Sequence, residues 1–378
     1  MNNIDDLRYW LALSFVKDIG PITAKKLLSA FHTPKNIFDA PLKELKRVEG
    51  IKTSRAMSIH AFDSWDLVDQ ELEKTEQMGI RLVAFTDKSY PESLRQIDDS
   101  PVLVYMKGEI KDEDKYAIGI VGSRNMTPYG KSVAETFAFE LASKGFTIIS
   151  GMARGVDTIA HKGALKAKGR SIAVLGCGID TAYPVENAAL IEELGGSGAV
   201  ISEFPLGTPP NRENFPKRNR LISGLSLGVL IVEAAAGSGS LITANYALEQ
   251  GKEIFAVPGG ITAMNSVGTN ELIKRGAKLV QNVDDIIQEL TPLLKGLLRS
   301  TPGAGAGRKQ PDMVTDLSRL EINNEEKAIC NVLGSEPRHI DIISRETGIA
   351  AQKLSGILLG LELKGVVKQA EGKRFFIL

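Results

Sequence analysis

Between residues 116 and 290 the chain repeats one pattern: a short apolar run, a glycine-rich break, then a longer amphipathic stretch. The apolar runs are Ala117-Ile-Gly-Ile-Val121, Phe146-Thr-Ile-Ile149, Ser171-Ile-Ala-Val-Leu175, Ala199-Val-Ile201, Gly228-Val-Leu-Ile-Val232 and Glu253-Ile-Phe-Ala-Val257. A strand with one wet face alternates polar and apolar residues. These runs are apolar on both faces, so they need cover on both sides. Strands alternating with helices meet that need as a parallel sheet with helices above and below, an α/β, doubly wound, Rossmann-like arrangement. Two further strand-like runs, Arg81-Leu-Val-Ala-Phe85 and Pro101-Val-Leu-Val-Tyr105, precede it, and the extended domain is expected to cover residues 66–295 with its core at 116–290.

The flanks read differently. Residues 1–65 are helical with short turns. Val16-Lys-Asp-Ile-Gly-Pro-Ile-Thr-Ala24 and Val48-Glu-Gly-Ile-Lys-Thr-Ser-Arg-Ala56 resemble tandem helix-hairpin-helix elements of a SAM-like domain. Such hairpins present backbone N–H groups to phosphate through two glycines. Here Asp18 replaces one of them and Lys52 another, and an aspartate repels phosphate, so a structural or protein-contact role is expected. The stretch Ser300-Thr-Pro-Gly-Ala-Gly-Ala-Gly-Arg-Lys-Gln-Pro311 is too poor in large apolar residues to fold, which predicts a flexible linker over 296–316. Residues 317–378 give three amphipathic helical segments and the strand runs Val366-Val367 and Phe375-Phe376-Ile377, the pattern of a winged-helix domain. Gln352 and Lys353 are its only polar candidates for reading bases, so sequence-specific DNA reading is not its expected role.

Composition excludes several classes. The 378 residues are 43% hydrophobic and 24% charged, as in ordinary globular proteins with two or three domains. The polar start lacks a leader, and no apolar run reaches the roughly 18 residues a membrane span needs. A cytoplasmic protein without membrane contact is expected. Cys177 and Cys330 lie far apart, and His32, His60, His161 and His339 are scattered, so neither a disulfide framework nor a metal site is expected. Net charge is zero, which argues against a protein coated in basic residues but leaves room for a local basic groove.

Candidate chemistry sits in the breaks after the apolar runs. They carry Gly122-Ser123-Arg124, Ser150-Gly-Met-Ala-Arg154-Gly155, Gly176-Cys-Gly178, Lys217-Arg218-Asn219-Arg220, Ser238-Gly239-Ser240 and Pro258-Gly-Gly260. In a parallel sheet all of these meet along the carboxyl rim. Glycines bare backbone N–H groups, serines at helix starts cap the helix or help hold an anion, and arginines grip phosphate with paired hydrogen bonds. The Walker phosphate loop and the Gly-x-Gly-x-x-Gly dinucleotide fingerprint are both missing, and no cofactor is expected. Asp157 and His161 read as a structural helix pair. Glu233 and Asp180 each read as orienting groups more than as bases. A phosphate-lined rim without a catalytic set fits a polymer backbone better than a substrate to be cleaved.

These residues bring a family into view. Gly119-Ile-Val-Gly-Ser-Arg124, Ser150-Gly-Met-Ala-Arg-Gly-Val-Asp157, Leu175-Gly-Cys-Gly-Ile-Asp180 with Tyr183-Pro184, and Phe215-Pro-Lys-Arg-Asn-Arg-Leu-Ile-Ser-Gly-Leu-Ser226 closely resemble the bacterial DNA-processing protein A (DprA/Smf) family. So do Ser238-Gly-Ser-Leu-Ile-Thr-Ala244, Val257-Pro-Gly259 and Gly268-Thr-Asn-Glu-Leu-Ile-Lys-Arg-Gly-Ala277, all in the family's order. The resemblance implies a non-enzymatic protein that binds and protects incoming single-stranded DNA during natural transformation. It implies displacement of single-strand binding protein and loading of the RecA recombinase. It also implies a homodimer, whose seam would use Leu272, Ile273 and Leu279. Arg124 and the cluster Lys217, Arg218 and Arg220 would contact phosphate. The rival reading is a nucleotide-processing phosphoribohydrolase on the same sheet type, for which Pro258-Gly-Gly260 and Glu233 give a loose echo. A winged-helix transcription factor is a third.

Overall fold

The computed structural model describes residues 4–300, 323–334, 337–364, 366–370 and 372–377. Nine strands form one sheet: β1 (Arg81–Ala84), β2 (Leu103–Gly108), β3 (Ala117–Val121), β4 (Thr147–Ser150), β5 (Ser171–Leu175), β6 (Ala199–Ser202), β7 (Gly228–Ile231), β8 (Glu253–Ala256) and β9 (Lys278–Leu279). Their spatial order is β1-β2-β6-β5-β4-β3-β7-β8-β9. Pairing is parallel from β6 across to β9, while β2 joins β6 and β1 joins β2 antiparallel. Every residue of β3, β4, β5, β6 and β7 is buried, which is why these runs show no alternation.

Helices cover both faces. Pro128–Ser143, Val156–Lys166 and Val283–Ser300 bury Phe137, Leu141, Ala160, Ile286 and Leu290 against one side. Asn214–Leu225 and Gly239–Glu249 bury Leu221, Ile222, Ala244 and Ala247 against the other. The helical N-terminal unit runs further than its expected boundary, because Trp65–Gln77 packs back into it through an aromatic group of Tyr9, Phe38, Phe62 and Trp65. Asp18 takes a left-handed turn (φ +64°) where the hairpin motif has glycine. Lys25, on the helix after that turn, donates to the carbonyls of Ile97 and Asp98, each at 2.8 Å. The first hairpin thus faces the Rossmann-like domain.

The winged helix is built of helices Asn324–Val332, Ile340–Thr347 and Ala351–Leu363 with a small sheet of β10 (Arg338–His339), β11 (Val367–Ala370) and β12 (Arg374–Ile377). Its third helix, the one that would enter a groove in a DNA reader, packs Leu359 and Leu363 against the core under helix Val283–Ser300. Lys353 is tied to Glu325 at 2.5 Å. Helix Val283–Ser300 occupies the start of the expected 296–316 linker, and the remainder of that segment lies outside the described residues. Among the described residues no helix is long and apolar enough to cross a membrane.

Candidate nucleic-acid interface

The chain runs from β3 outward through β4, β5 and β6, then returns to lay β7, β8 and β9 on the other side of β3. Connections leave β3 and β7 in opposite directions, and that reversal opens a crevice beyond their carboxyl ends. A cleft of about 540 Å³ lies there, lined by Val121–Asn125, Ala153, Asp157, Arg212, Phe215, Arg218, Asn219, Ala235–Ser240 and others.

One wall is the loop after β3. Ser123 Oγ accepts from the Asn125 backbone N–H at 3.1 Å, and its carbonyl accepts from Val156 N–H at 3.2 Å, which ties this loop to the one after β4. The facing wall is the start of helix Gly239–Glu249. Ser238 Oγ accepts from Ser240 N–H and shares a hydrogen bond with Ser240 Oγ at 2.8 Å. Gly237 has φ +73° with open space around it, so glycine there serves the backbone turn. Gly151 serves crowding instead: a Cβ would lie 2.6 Å from the Arg218 guanidinium.

The charges of the cleft divide into exposed and buried. Arg124 is exposed, its guanidinium 5.1 Å from the centre of the Phe215 ring, and among the described residues it makes no ion pair. Arg218 forms the floor. It is buried and donates to the carbonyls of Gly151 and Val174 and to Asn219 Oδ1. Burial pulls its pKa down to about 10, so it stays cationic at neutral pH. Asp157 lies beside it at the start of helix Val156–Lys166, accepting from Ala153 N–H at 3.3 Å. Burial pushes its pKa up to about 6 against the opposing pull of Arg218, the Ala153 N–H and Arg124.

The structure brings Gly122, Ser123, Arg124, Arg218, Asn219, Ser238, Gly239 and Ser240 together at this cleft. It separates the others. Residues 214–225 are a helix, so Arg218 and Arg220, two positions apart, point to opposite sides. Arg220 turns away from the rim, buried, with Glu203 at 2.5 Å and Asp99 at 3.0 Å. Its expected phosphate contact is therefore corrected to an internal ion pair. Lys217 is exposed but outside the cleft lining. Arg154 is also outside it and is held by Glu186 at 2.6 Å. Asn219 donates to the Gly239 carbonyl at 3.3 Å and so fastens the helix to the facing wall instead of presenting a free amide. Arg212 and Asn125 were not among the expected contacts. The readable signal for Arg212 is Pro209-Pro210 just before it, which keeps that arginine on a loop at the rim.

The expected seam residues Leu272 and Ile273 are half-buried on helix Val267–Lys274, and Leu279 is 41% exposed on β9, the edge strand. His161 is buried, and its Nδ1 lies 2.7 Å from Ser171 Oγ. The Ser171 hydroxyl itself donates to the Ile148 carbonyl, so Nδ1 carries the hydrogen. Burial holds His161 neutral, with its pKa lowered to about 3. Glu233 is buried with both oxygens on Thr127, at 2.8 Å to its N–H and 2.5 Å to its hydroxyl, holding the start of helix Pro128–Ser143. Among the described residues no His, Cys, Asp and Glu side chains gather in a group that could hold a metal.

With this geometry in hand, comparison with known proteins is direct. Residues 81–291 match the DNA recombination-mediator protein A family, 316–373 the DprA winged-helix domain and 11–61 a SAM-like helix-hairpin-helix tandem. Protein Smf of Synechocystis sp. is 34% identical over 97% of this chain and 98% of its own. The X-ray structure of DNA processing protein A from Streptococcus pneumoniae superposes with a TM-score of 0.64 at 33% identity, covering 76% of this chain and 99% of that one. The Helicobacter pylori protein, whose structural study concerns its single-stranded DNA binding mode, gives a TM-score of 0.51 at 33% identity, covering 56% of this chain and 96% of that one. Family match, near full-length relatives and shared fold agree: the chain belongs to the DNA-processing protein A family.

Proposed function

We propose that this protein binds single-stranded DNA in the cleft outside β3 and β7. The observation that carries the reading is the juxtaposition of an unpaired exposed arginine, Arg124, with an aromatic face, Phe215, at the open N-terminus of helix Gly239–Glu249. A phosphate held there would meet Arg124 and the serine-capped N–H groups of that helix, while a neighbouring base meets the ring. The floor, Arg218, is recessed below the rim. A flexible strand can follow the crevice above it, whereas a stiff duplex cannot. The binding of single-stranded DNA by the Helicobacter pylori relative supports the same reading for this chain.

In this account the bound strand is protected and handed on as a recombination substrate during transformation. Loading of the RecA recombinase, displacement of single-strand binding protein and a homodimer seamed by Leu272, Ile273 and Leu279 complete the proposal. A binding role is preferred to hydrolysis because Glu233, the carboxylate the rival enzyme would need, is committed to Thr127. A gel shift comparing single-stranded with duplex DNA tests the reading. Tighter binding of the single strand, lost in Arg124→Ala, is the expected result. Equal binding of both forms by wild type, or release of free base from a nucleoside monophosphate, would overturn it.

A further inference from the structure

Resting on the single-strand reading above, we propose that Tyr183 is a base-stacking residue that continues the DNA path beyond the cleft toward β5. Tyr183 lies in the loop after β5 and Phe215 at the start of the helix after β6, yet their ring centres are 5.6 Å apart and their planes 32° from parallel. The rings are tilted, at a centroid separation within the range of interacting aromatic pairs. Tyr183 is 38% exposed, and Val185 beside it 76% exposed. The aromatic residues of the N-terminal unit, in contrast, are spent on one another. Among the described residues the Tyr183 hydroxyl has no hydrogen-bond partner, so no internal bond holds a tyrosine at this place.

Charge completes the argument. From helix Gly239–Glu249 the rim passes through Arg124 to Phe215, which exposed Arg212 and Lys217 flank in the sequence. The next arginine, Arg154, is engaged by Glu186 at 2.6 Å in an exposed pair. Asp180, in the same loop as Tyr183, is occupied by the Gly207 N–H at 2.9 Å. A polyanion continuing past Phe215 toward β5 meets the paired Arg154 and an exposed aromatic step. A base stacked on that ring adds grip there, which is tolerant of sequence because every base has a π-face.

The test uses the full chain, an oligothymidylate and the same strand carrying consecutive abasic sites. Tyr183→Leu keeps apolar bulk and removes the ring. It is expected to weaken oligothymidylate binding about tenfold, in the range found for loss of one base–aromatic stack. Binding of the abasic strand and the salt dependence should stay as in wild type, because no phosphate contact is lost. Tyr183→Phe should bind like wild type. The inference is overturned if Tyr183→Leu binds oligothymidylate normally, if it weakens both strands equally, or if Tyr183→Phe fails as Tyr183→Leu does. Failure of the underlying reading is a separate result, since wild type would then show no preference for single strands and Arg124→Ala would change nothing.

Discussion

Asp157 offers a test in which the sign alone is informative. Its folded pKa, about 6, is above the ordinary aspartate value, so the folded protein binds this proton more tightly than the unfolded chain does. Stability from this residue is therefore greatest at low pH and falls as pH rises through 6. Taking about 3.9 for the unfolded chain, the linkage relation gives a loss of about 1.4 kcal/mol between pH 5 and pH 8. His161 works the other way. Its folded pKa is depressed to about 3, so its stability is full above the unfolded value of about 6.5 and declines as pH falls, by about 2 kcal/mol from pH 8 to pH 5. The two nearly cancel in wild type, and the raw pH profile is uninformative. Asp157→Asn keeps an oxygen for the Ala153 N–H and removes the titration. Urea unfolding of both proteins across pH 5–8 should show the variant gaining on wild type by about 1.4 kcal/mol as pH rises. Single-strand affinity should also strengthen in wild type as pH falls through 6, since a protonated Asp157 takes a negative charge from beneath the bound phosphates, and the variant should not follow. Parallel stability curves for the two proteins would refute the placement of an ionisable, desolvated carboxyl under the cleft.

Three further expectations follow from the same geometry. Arg124→Ala should weaken binding of every single-stranded sequence, lower the salt slope by about 0.7 and leave the thermal unfolding curve in place; fluorescence anisotropy at several salt concentrations decides it. Arg218→Ala leaves two buried carbonyls without their donor and opens a cavity, and should cost about 2–4 kcal/mol in urea unfolding; a variant as stable as wild type would contradict the floor role. Leu279→Arg places a charge on an exposed edge-strand position without emptying the core, and should give monomers by light scattering if the proposed seam is right.

The sheet was legible because each of its central strands is buried on both faces, leaving an unbroken apolar run that glycine breaks punctuate. The antiparallel β1 and β2 were visible as runs, but their direction was not, since direction depends on the connections and not on the strand residues. Among site residues, Gly122-Ser123-Arg124 and Ser238-Gly239-Ser240 were readable because each lies in the break between a strand and the next helix, and topology alone then fixes where they lie. Arg218 and Arg220 were misread together. Adjacent cations look like one patch in sequence, yet a helix rotates them to opposite sides, one into the floor of the cleft and one to Glu203 and Asp99. Phe215 with Tyr183 was hidden for the opposite reason, because a helix start and a loop far apart in sequence meet only in the fold.

If the cleft holds single-stranded DNA as proposed, this division of arginines constrains how a chain with no net charge does so. Of the cations near the rim, Arg218 is spent on carbonyls, Arg154 on Glu186, and Arg220 on the interior. Arg124 and Arg212 remain to neutralise phosphate within the cleft. Two phosphates per chain correspond to a salt slope of about 1.4 for single strands, shallow beside that of a coated basic protein. Tight binding must then draw on terms that salt does not screen, namely backbone N–H groups at the helix start and bases on aromatic rings. In the proposed homodimer, two clefts acting on one strand would multiply affinity without adding a contact. The slope is therefore diagnostic. A dimer should give about 2.8 and the Leu279→Arg monomer about half of that. A slope of 6 or more in the monomer would mean that the phosphates are held somewhere other than this cleft.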